Sequence, residues 1–180
     1  MKKRINIALI VLVAIGIPLL AFRCYKYVEY KMVNAIFIDV MERYQEPYRV
    51  VYGSVSFSQK VLKDEEGFEY FILEEENYTS VEDIRVLLES IFTQNYINNS
   101  KHWVIGTTRP FYKEIDGVLC KAHSDAIALG IPTELHKIES KSDTRLVLLA
   151  LTDLRWFRFT LVKEGDEWFI DDIDVDWLEE

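Results

Sequence analysis

Cysteine, histidine, proline and glycine are all scarce in this 180-residue chain, which holds two, three, four and seven of them. Two cysteines do not provide a disulfide framework. Three histidines without helical i,i+4 spacing do not suggest a zinc site. The low glycine and proline content excludes fibrous and low-complexity proteins, and a hydrophobic fraction of 49% is typical of a folded chain.

Basic residues are also scarce once the amino-terminal region is set aside. The chain has 21 basic and 30 acidic residues, and residues 1–31 hold six of the basic and one of the acidic. Residues 32–180 therefore keep 15 basic and 29 acidic side chains, a net charge of −14. Such a body repels phosphate backbones, so nucleic acid is not expected as a partner.

The longest apolar run is Ile5–Phe22, which contains no charged residue and follows a short basic segment. At about 1.5 Å per residue, a helix of this length is near the lower limit for spanning a bilayer. Small residues are missing from the positions that signal-peptide cleavage requires, and Arg23 disfavours lipidation of Cys24. We therefore predict an uncleaved signal-anchor, with a cleaved signal peptide and a lipidated cysteine as the alternatives.

The anchor sets the predicted domains and location. Residues 1–30 form the membrane segment, and residues 31–180 form one extracytoplasmic α+β domain. The short basic amino end favours a cytoplasmic amino terminus, although the positive charges on the two sides of the run are nearly balanced. The opening resembles that of bacterial proteins, so the prediction is a single-pass protein of a bacterial cell membrane.

The body contains helix signals followed by strand signals. Apolar positions at helical spacing begin at Val33, and Pro47 is expected to end that helix. Strands are expected at Val50–Phe57 and Phe68–Leu73, and a capped helix covers residues 79–100. Further short strands follow from His102, and Asp-Gly at 116–117 predicts a two-residue hairpin.

From residue 134 onward the pattern is that of a meander of four strands separated by turn-forming residues. The resulting prediction is an α+β fold, in which an amino-terminal transmembrane helix precedes helices packed on one face of a curved antiparallel sheet.

The acidic run Asp172-x-Asp174-x-Asp176 near the carboxy end could be a calcium loop or a strand. Calcium loops of this type need a glycine at the sixth position and a carboxylate at the twelfth, and the chain offers neither. On a strand the aspartates share one face and Ile173, Val175 and Trp177 share the other. We therefore predict a strand, no metal site and no cofactor.

Catalytic motifs are weak. Cys120, His123, Ser124 and Asp125 lie close together in sequence, but catalytic groups normally meet from separate segments, and neighbours on a strand point to opposite faces. No nucleophile elbow occurs. Cys120 is expected to be a small core residue, and the chain is predicted not to be an enzyme, with no catalytic residue assigned.

Three segments carry a resemblance to a known family. The stretches "IFTQNYINN", "FYKEIDGVLCKAHSDAIALG" and "FTLVKEGDEWFIDDI" resemble the bacterial DL-endopeptidase inhibitor (IseA-like) proteins. More broadly they are similar to exported cystatin-like and nuclear-transport-factor-2-like domains. The resemblance covers roughly Tyr70 to Ile173, and the segment after Asp125 has fewer glycines than expected of the inhibitory loop.

The resemblance implies a cystatin-like fold that binds a protein partner such as a cell-wall hydrolase, whose cleft it would occupy. Tyr112, Asp116 and Asp125 transfer as candidate contact residues, and Glu114 joins them because it lies on the same expected surface hairpin, where Tyr112 is expected to be exposed. Turn and cap roles are the alternative for these residues.

Three functions stay open from the sequence. The first is a membrane-anchored extracytoplasmic protein-binding domain that restrains a cell-wall peptidase. The second is an assembly component of a secretion or conjugation complex. The third is a small-ligand-binding domain or enzyme that uses a cavity between sheet and helices.

Overall fold

The computed structural model describes residues 2–53, 55–107, 109–122, 130–152 and 155–177. For residues 2–12, 100, 102–103 and 176–177 it describes the backbone alone. The chain forms two compact units, Met1–Phe37 and Ile38–Glu180.

The described residues form four helices and eight strands: α1 (Lys2–Tyr52), β1 (Phe57–Lys63), β2 (Glu69–Leu73), α2 (Val81–Glu89), α3 (Gln94–Ser100), α4 (His102–Ile105), β3 (Tyr112–Ile115), β4 (Val118–Ala122), β5 (Glu134–Lys141), β6 (Arg145–Leu151), β7 (Arg155–Glu164) and β8 (Glu167–Trp177). The class is α+β, as predicted.

The first unit is helical throughout its described residues and belongs to α1. Within the described part of the chain, no helix has the combination of length and apolar character that crossing a membrane requires. The predicted span Ile5–Phe22 begins among residues whose side chains lie outside that part.

The second unit contains two four-stranded antiparallel sheets rather than one. The first sheet has the order β1-β2-β4-β3 and the second has the order β5-β6-β7-β8. Both edges of β4 are already hydrogen-bonded, to β2 and to β3, so β5 cannot pair with it. The antiparallel pairing is therefore as predicted but is divided between two sheets where one was expected, and the four-stranded meander at the carboxy end is confirmed.

Helix α1 continues through Pro47 to Tyr52, so the predicted end at Pro47 and the predicted strand from Val50 are both wrong. A proline inside a helix removes one backbone hydrogen bond. The turn that follows it is held by side chains instead. Arg49 pairs with Glu46 (2.7 Å) and with Glu75 (3.1 Å), the latter after β2.

The predicted helix over residues 79–100 is two helices. Its capping box is confirmed, since the Ser80 side chain accepts from the Asp83 amide and the Asp83 side chain accepts from the Ser80 amide. Helix α2 ends at Glu89, Phe92 bridges to Ile170 of β8, and Thr93 then caps α3. The segment from His102, predicted as a strand, forms the one-turn helix α4.

The core of the second unit includes alternate side chains of the second sheet. Leu148 of β6 and Phe159 of β7 are fully buried, and the rings of Phe157 and Phe159 stack with centroids 6.0 Å apart. Strand β8 runs through the acidic segment with Asp172 and Asp174 exposed, which confirms the strand prediction.

Candidate ligand pocket

Tyr112, the aromatic residue expected at the surface of the hairpin, is fully buried. Its hydroxyl donates to the backbone oxygen of Val50 near the end of α1 (2.7 Å), and burial raises its pKa well above the usual value. The expectation of an exposed Tyr112 is therefore wrong. Its role is to attach the end of α1 to the first sheet.

The other predicted contact residues do not converge with Tyr112 on one surface. Glu114 is exposed and its Oε1 accepts from the amide of Val81 at the start of α2 (2.8 Å). Asp116 is exposed in the confirmed two-residue turn, where its φ is 53° and that of Gly117 is 77°. Asp125 lies outside the described residues.

A pocket of about 110 Å³ lies in the second unit, between the end of α1, α3 and the second sheet, and is partly open to solvent. We call it the tyrosine pocket, and its lining residues are Tyr44, Tyr48, Tyr52, Tyr96, Lys101, Phe157, Ile173 and Val175. Lys101 is the one charged side chain among these described lining residues.

Three of the tyrosines come from one face of α1, because Tyr44, Tyr48 and Tyr52 follow each other at four-residue spacing. Neighbouring rings lie 5.7 Å and 5.4 Å apart. Tyr44 also makes an edge contact with Phe92 (5.8 Å), and the Tyr48 hydroxyl accepts from the amide of Gly130 (2.7 Å). These contacts fix the positions of the rings.

Helix α3 supplies Tyr96 to the pocket, and Lys101 is the residue that caps the carboxy end of this helix. Thr93 fixes the start of this helix, because its hydroxyl donates to Asp171 of β8 (2.7 Å) and accepts from the amide of Tyr96 (3.2 Å). The amide of Lys101 donates to the backbone oxygen of Ile97 at the end of the helix (3.1 Å). The second sheet therefore determines where α3 places these two side chains.

Lys101 is 6% exposed, and no carboxylate in the described part of the chain forms a salt bridge with it. Its Nζ donates to the Tyr52 hydroxyl and lies 4.9 Å from the centre of the Tyr52 ring and 5.2 Å from that of Tyr96. Burial lowers the pKa of Lys101 to about 8, because the ammonium loses water without gaining a counter-ion. Near pH 8 the amine is thus present in both charged and neutral forms.

The hydroxyls of Tyr44, Tyr52 and Tyr96 remain protonated at neutral pH. Burial raises the pKa of Tyr52 to about 12 and raises those of Tyr44 and Tyr96 well above the ordinary value. Within the described residues, the hydroxyls of Tyr44 and Tyr96 have no hydrogen-bond partner, although both residues line the pocket. They can therefore donate to a bound molecule.

The opposite wall is apolar. Phe157 of β7 and Ile173 and Val175 of β8 line it, while Asp174, between the two β8 residues, is exposed on the other face of the strand. A small apolar body thus meets rings and aliphatic side chains, and its polar end meets an amine and hydroxyl donors. This combination is typical of small-molecule sites.

Sequence reasoning missed this pocket, although one signal was present. The spacing of Tyr44, Tyr48 and Tyr52 places three tyrosines on one helix face, provided that the helix continues through Pro47. The prediction that the helix ends at Pro47 placed Tyr44 in a helix and Tyr52 in a strand, so the three tyrosines did not share a face. Lys101 carried no local signal, because its burial depends on the packing of α3 against α1.

Metal chemistry receives no support from the described side chains. No group of three or more His, Cys, Asp or Glu residues among them is arranged to hold an ion. Cys120 is buried against Tyr70 and Ile115, and burial raises the pKa of its thiol. The position of Cys120 agrees with the prediction of a small core residue.

Comparison of the chain with protein families, with curated proteins and with solved structures finds no match.

Proposed function

We propose that the domain binds a small ligand in the tyrosine pocket, with an apolar ring or branched chain as its body and a hydrogen-bond acceptor or anion at one end. The observation that carries this proposal is the position of Lys101. Its amine is buried, has no carboxylate partner in the described chain and faces an apolar cavity. Perturbed titratable groups in a cleft are more frequent at functional sites than elsewhere.

The size of the pocket restricts the ligand to about one ring. An apolar protein cavity of about 150 Å³ holds benzene, and the tyrosine pocket encloses about 110 Å³ and opens partly to solvent. A ring can occupy the enclosed part while substituents extend outward. A carboxylate on that ring would accept a charge-assisted hydrogen bond from Lys101, a type of bond worth about 1.5–3 kcal/mol.

Thermal unfolding of the full chain with two matched ligands tests the proposal. Benzoate and benzylammonium share a ring and differ in the sign of the charge. Because ligand binding stabilises the folded state, millimolar benzoate is expected to raise Tm at pH 7 and benzylammonium is not. Equal shifts with both compounds, or none with either, would exclude an anion-selecting pocket.

Membrane attachment belongs to the same proposal. The apolar run Ile5–Phe22 and the basic residues before it support a single-pass anchor with the pocket domain outside a bacterial cell membrane. Binding a ligand requires no catalytic residue, in keeping with the prediction of a non-enzyme.

A second proposal is the one that the resemblance implies, namely contact with a protein such as a cell-wall peptidase. Its support is the exposed turn at Asp116, which projects an acidic side chain from the rigid first sheet. Asp116→Lys is expected to abolish capture of the partner by the full chain. Asp166→Lys, at the turn between β7 and β8, is the matched control and should leave capture unchanged.

A further inference from the structure

Lys101 differs from the other buried lysine of the second unit in what its amine faces. Lys121 is 8% exposed, and burial lowers its pKa to about 8 as well. Its Nζ, however, lies 3.3 Å and 3.5 Å from the backbone oxygens of Val50 and Gly53, to which it donates at the end of α1. Lys101 instead faces the tyrosine pocket, where a ligand can reach it.

A neutral amine in an apolar pocket is a nucleophile towards carbonyl carbon. The groups around Lys101 favour that neutral form. Tyr44, Tyr48 and Tyr52 come from α1, and Tyr96 comes from α3. Burial raises the pKa of the Tyr44, Tyr52 and Tyr96 hydroxyls, so these three phenols stay protonated at neutral pH. The second sheet contributes apolar side chains, and its Asp172, which is exposed, raises the pKa of Tyr96 rather than pairing with Lys101.

We propose that Lys101 captures a small aromatic aldehyde in the tyrosine pocket as an imine. The inference rests on the proposed function and narrows its ligand to the class of carbonyl compounds. The ring of the aldehyde packs against the apolar wall of the pocket, and its carbonyl carbon contacts Nζ of Lys101. The Tyr44 and Tyr96 hydroxyls are available to hydrogen-bond the carbonyl oxygen.

The reaction balances without any further reactant. The nitrogen lone pair forms a bond to the carbonyl carbon, the π electron pair moves to oxygen, and an amine proton passes to that oxygen to give a carbinolamine. The nitrogen lone pair then forms the C=N bond as the C–O bond breaks, and water leaves with the hydroxyl and the remaining amine proton. Tyr52, whose hydroxyl already bonds Nζ, is placed to relay these protons as a positioning residue.

Reductive trapping tests the inference on the full chain. Benzaldehyde and cyanoborohydride convert an imine into a stable benzyl amine, because hydride adds to the imine carbon and nitrogen takes a proton from water. Peptide mapping then measures the labelling rate of each lysine. Lys101 is expected to react at least about tenfold faster than Lys121 and the exposed lysines at pH 7.5, since its amine is both partly neutral and accessible from the pocket.

One variant, one competitor and the dependence on pH make the test specific. Lys101→Arg keeps the charge and is expected to retain benzoate stabilisation while losing the fast adduct. Benzoate should slow the labelling of wild-type Lys101 at least fivefold. The ratio of Lys101 labelling to labelling of the exposed lysines should fall as pH rises above about 8, since the neutral fraction of Lys101 is then saturated while that of the exposed lysines still increases.

The outcomes separate the imine from the pocket. Fast labelling at Lys101 that benzoate suppresses supports both. Benzoate stabilisation without fast labelling overturns the imine and leaves the proposed function intact, whereas absence of both overturns the two together. Equal labelling of Lys101 and Lys121 would also overturn the inference, because depressed basicity alone would then account for the reaction.

Discussion

Lys101 destabilises the fold in which it is buried. Its ammonium has exchanged water for one phenol hydroxyl and two aromatic faces, and it has no salt bridge in the described chain. Uncompensated burial of a charge costs free energy of folding. A side chain of this kind is better explained by what it can bind than by what it stabilises.

Lys101→Met is therefore expected to raise the free energy of unfolding at pH 7 by about 1–3 kcal/mol, since methionine fills the space without a charge. Urea denaturation measures the change. Lys121→Met is the control and should gain less, because it removes the donor to the backbone oxygens of Val50 and Gly53. A loss of stability in Lys101→Met would contradict this account of the residue.

The same two lysines predict how stability depends on pH. Their folded pKa values are about 8, below the unfolded value of 10.5. Between these limits the unfolded chain binds more protons, so the free energy of unfolding rises with pH, and the gain is lost as pH falls back through 8. For Lys101 alone the rise is on the order of 3 kcal/mol.

Tyrosines limit this rise at the alkaline end. The pKa of Tyr52 is raised to about 12 from 10.0, so its contribution to stability is lost as pH increases from 10 towards 12. Urea titrations between pH 7 and 12 should therefore show a maximum near pH 10, and Lys101→Met should show a smaller rise towards it. A profile that falls steadily from pH 7 to 10 would refute the depressed lysine values.

At the scale of elements, the last turns of α1 connect the two sheets of the second unit. Tyr112 of the first sheet bonds the backbone of Val50, and Tyr44 of the helix packs against Phe159 of the second sheet with centroids 6.4 Å apart. The named strands pair only within their own sheet, so strand pairing does not join the two sheets. The helix therefore fixes the geometry of the tyrosine pocket.

Glu75→Ala is expected to loosen this end of α1. Glu75 accepts from Arg49 (3.1 Å) and from the amide of Ser56 (2.9 Å), so its truncation leaves both donors without that partner. The expected loss is about 1–3 kcal/mol of unfolding free energy, measured with urea. Glu74→Ala, at the exposed neighbouring residue, should change stability by less than about 0.5 kcal/mol. Equal effects of the two changes would contradict the role of Glu75 in holding the end of α1.

Elements with local signals were predictable from the sequence. The capping box of α2 and the Asp-Gly turn depend on neighbouring residues alone, and the carboxy-terminal meander on short-range alternation. Pairing between distant strands has no such signal, which is why one sheet was predicted where two occur. The prediction that α1 ends at Pro47 failed for the same reason, because contacts that hold the helix beyond Pro47 come from residues far along the chain.

The candidate site was harder to predict than the fold. A buried tyrosine can hold a helix in place, whereas an exposed tyrosine can contact a binding partner. Tyr112 was predicted to be exposed and is buried. Lys101 acquires its shifted pKa through desolvation by elements that are distant in sequence. The pocket required the tertiary arrangement of α1, α3 and β8, which no local pattern encodes.

At the scale of the whole molecule, the chain combines a basic amino end with a strongly acidic body. We expect the full-length protein to remain in the membrane fraction after carbonate extraction, because Ile5–Phe22 is apolar and is predicted to be an uncleaved anchor. Cell fractionation followed by amino-terminal sequencing checks this. A mature protein that begins at or beyond Tyr25 would contradict the retained anchor.

The proposed function requires the tyrosine pocket to be a binding site. Fluorine NMR of 4-fluorobenzoate added to the full chain at pH 7 tests this most directly, since the ligand signal shifts and broadens on binding. We predict saturable binding to wild-type protein and to Lys121→Met, with at least tenfold weaker binding to Lys101→Met. Unchanged affinity in Lys101→Met, or no saturable binding to wild-type protein, would contradict the account.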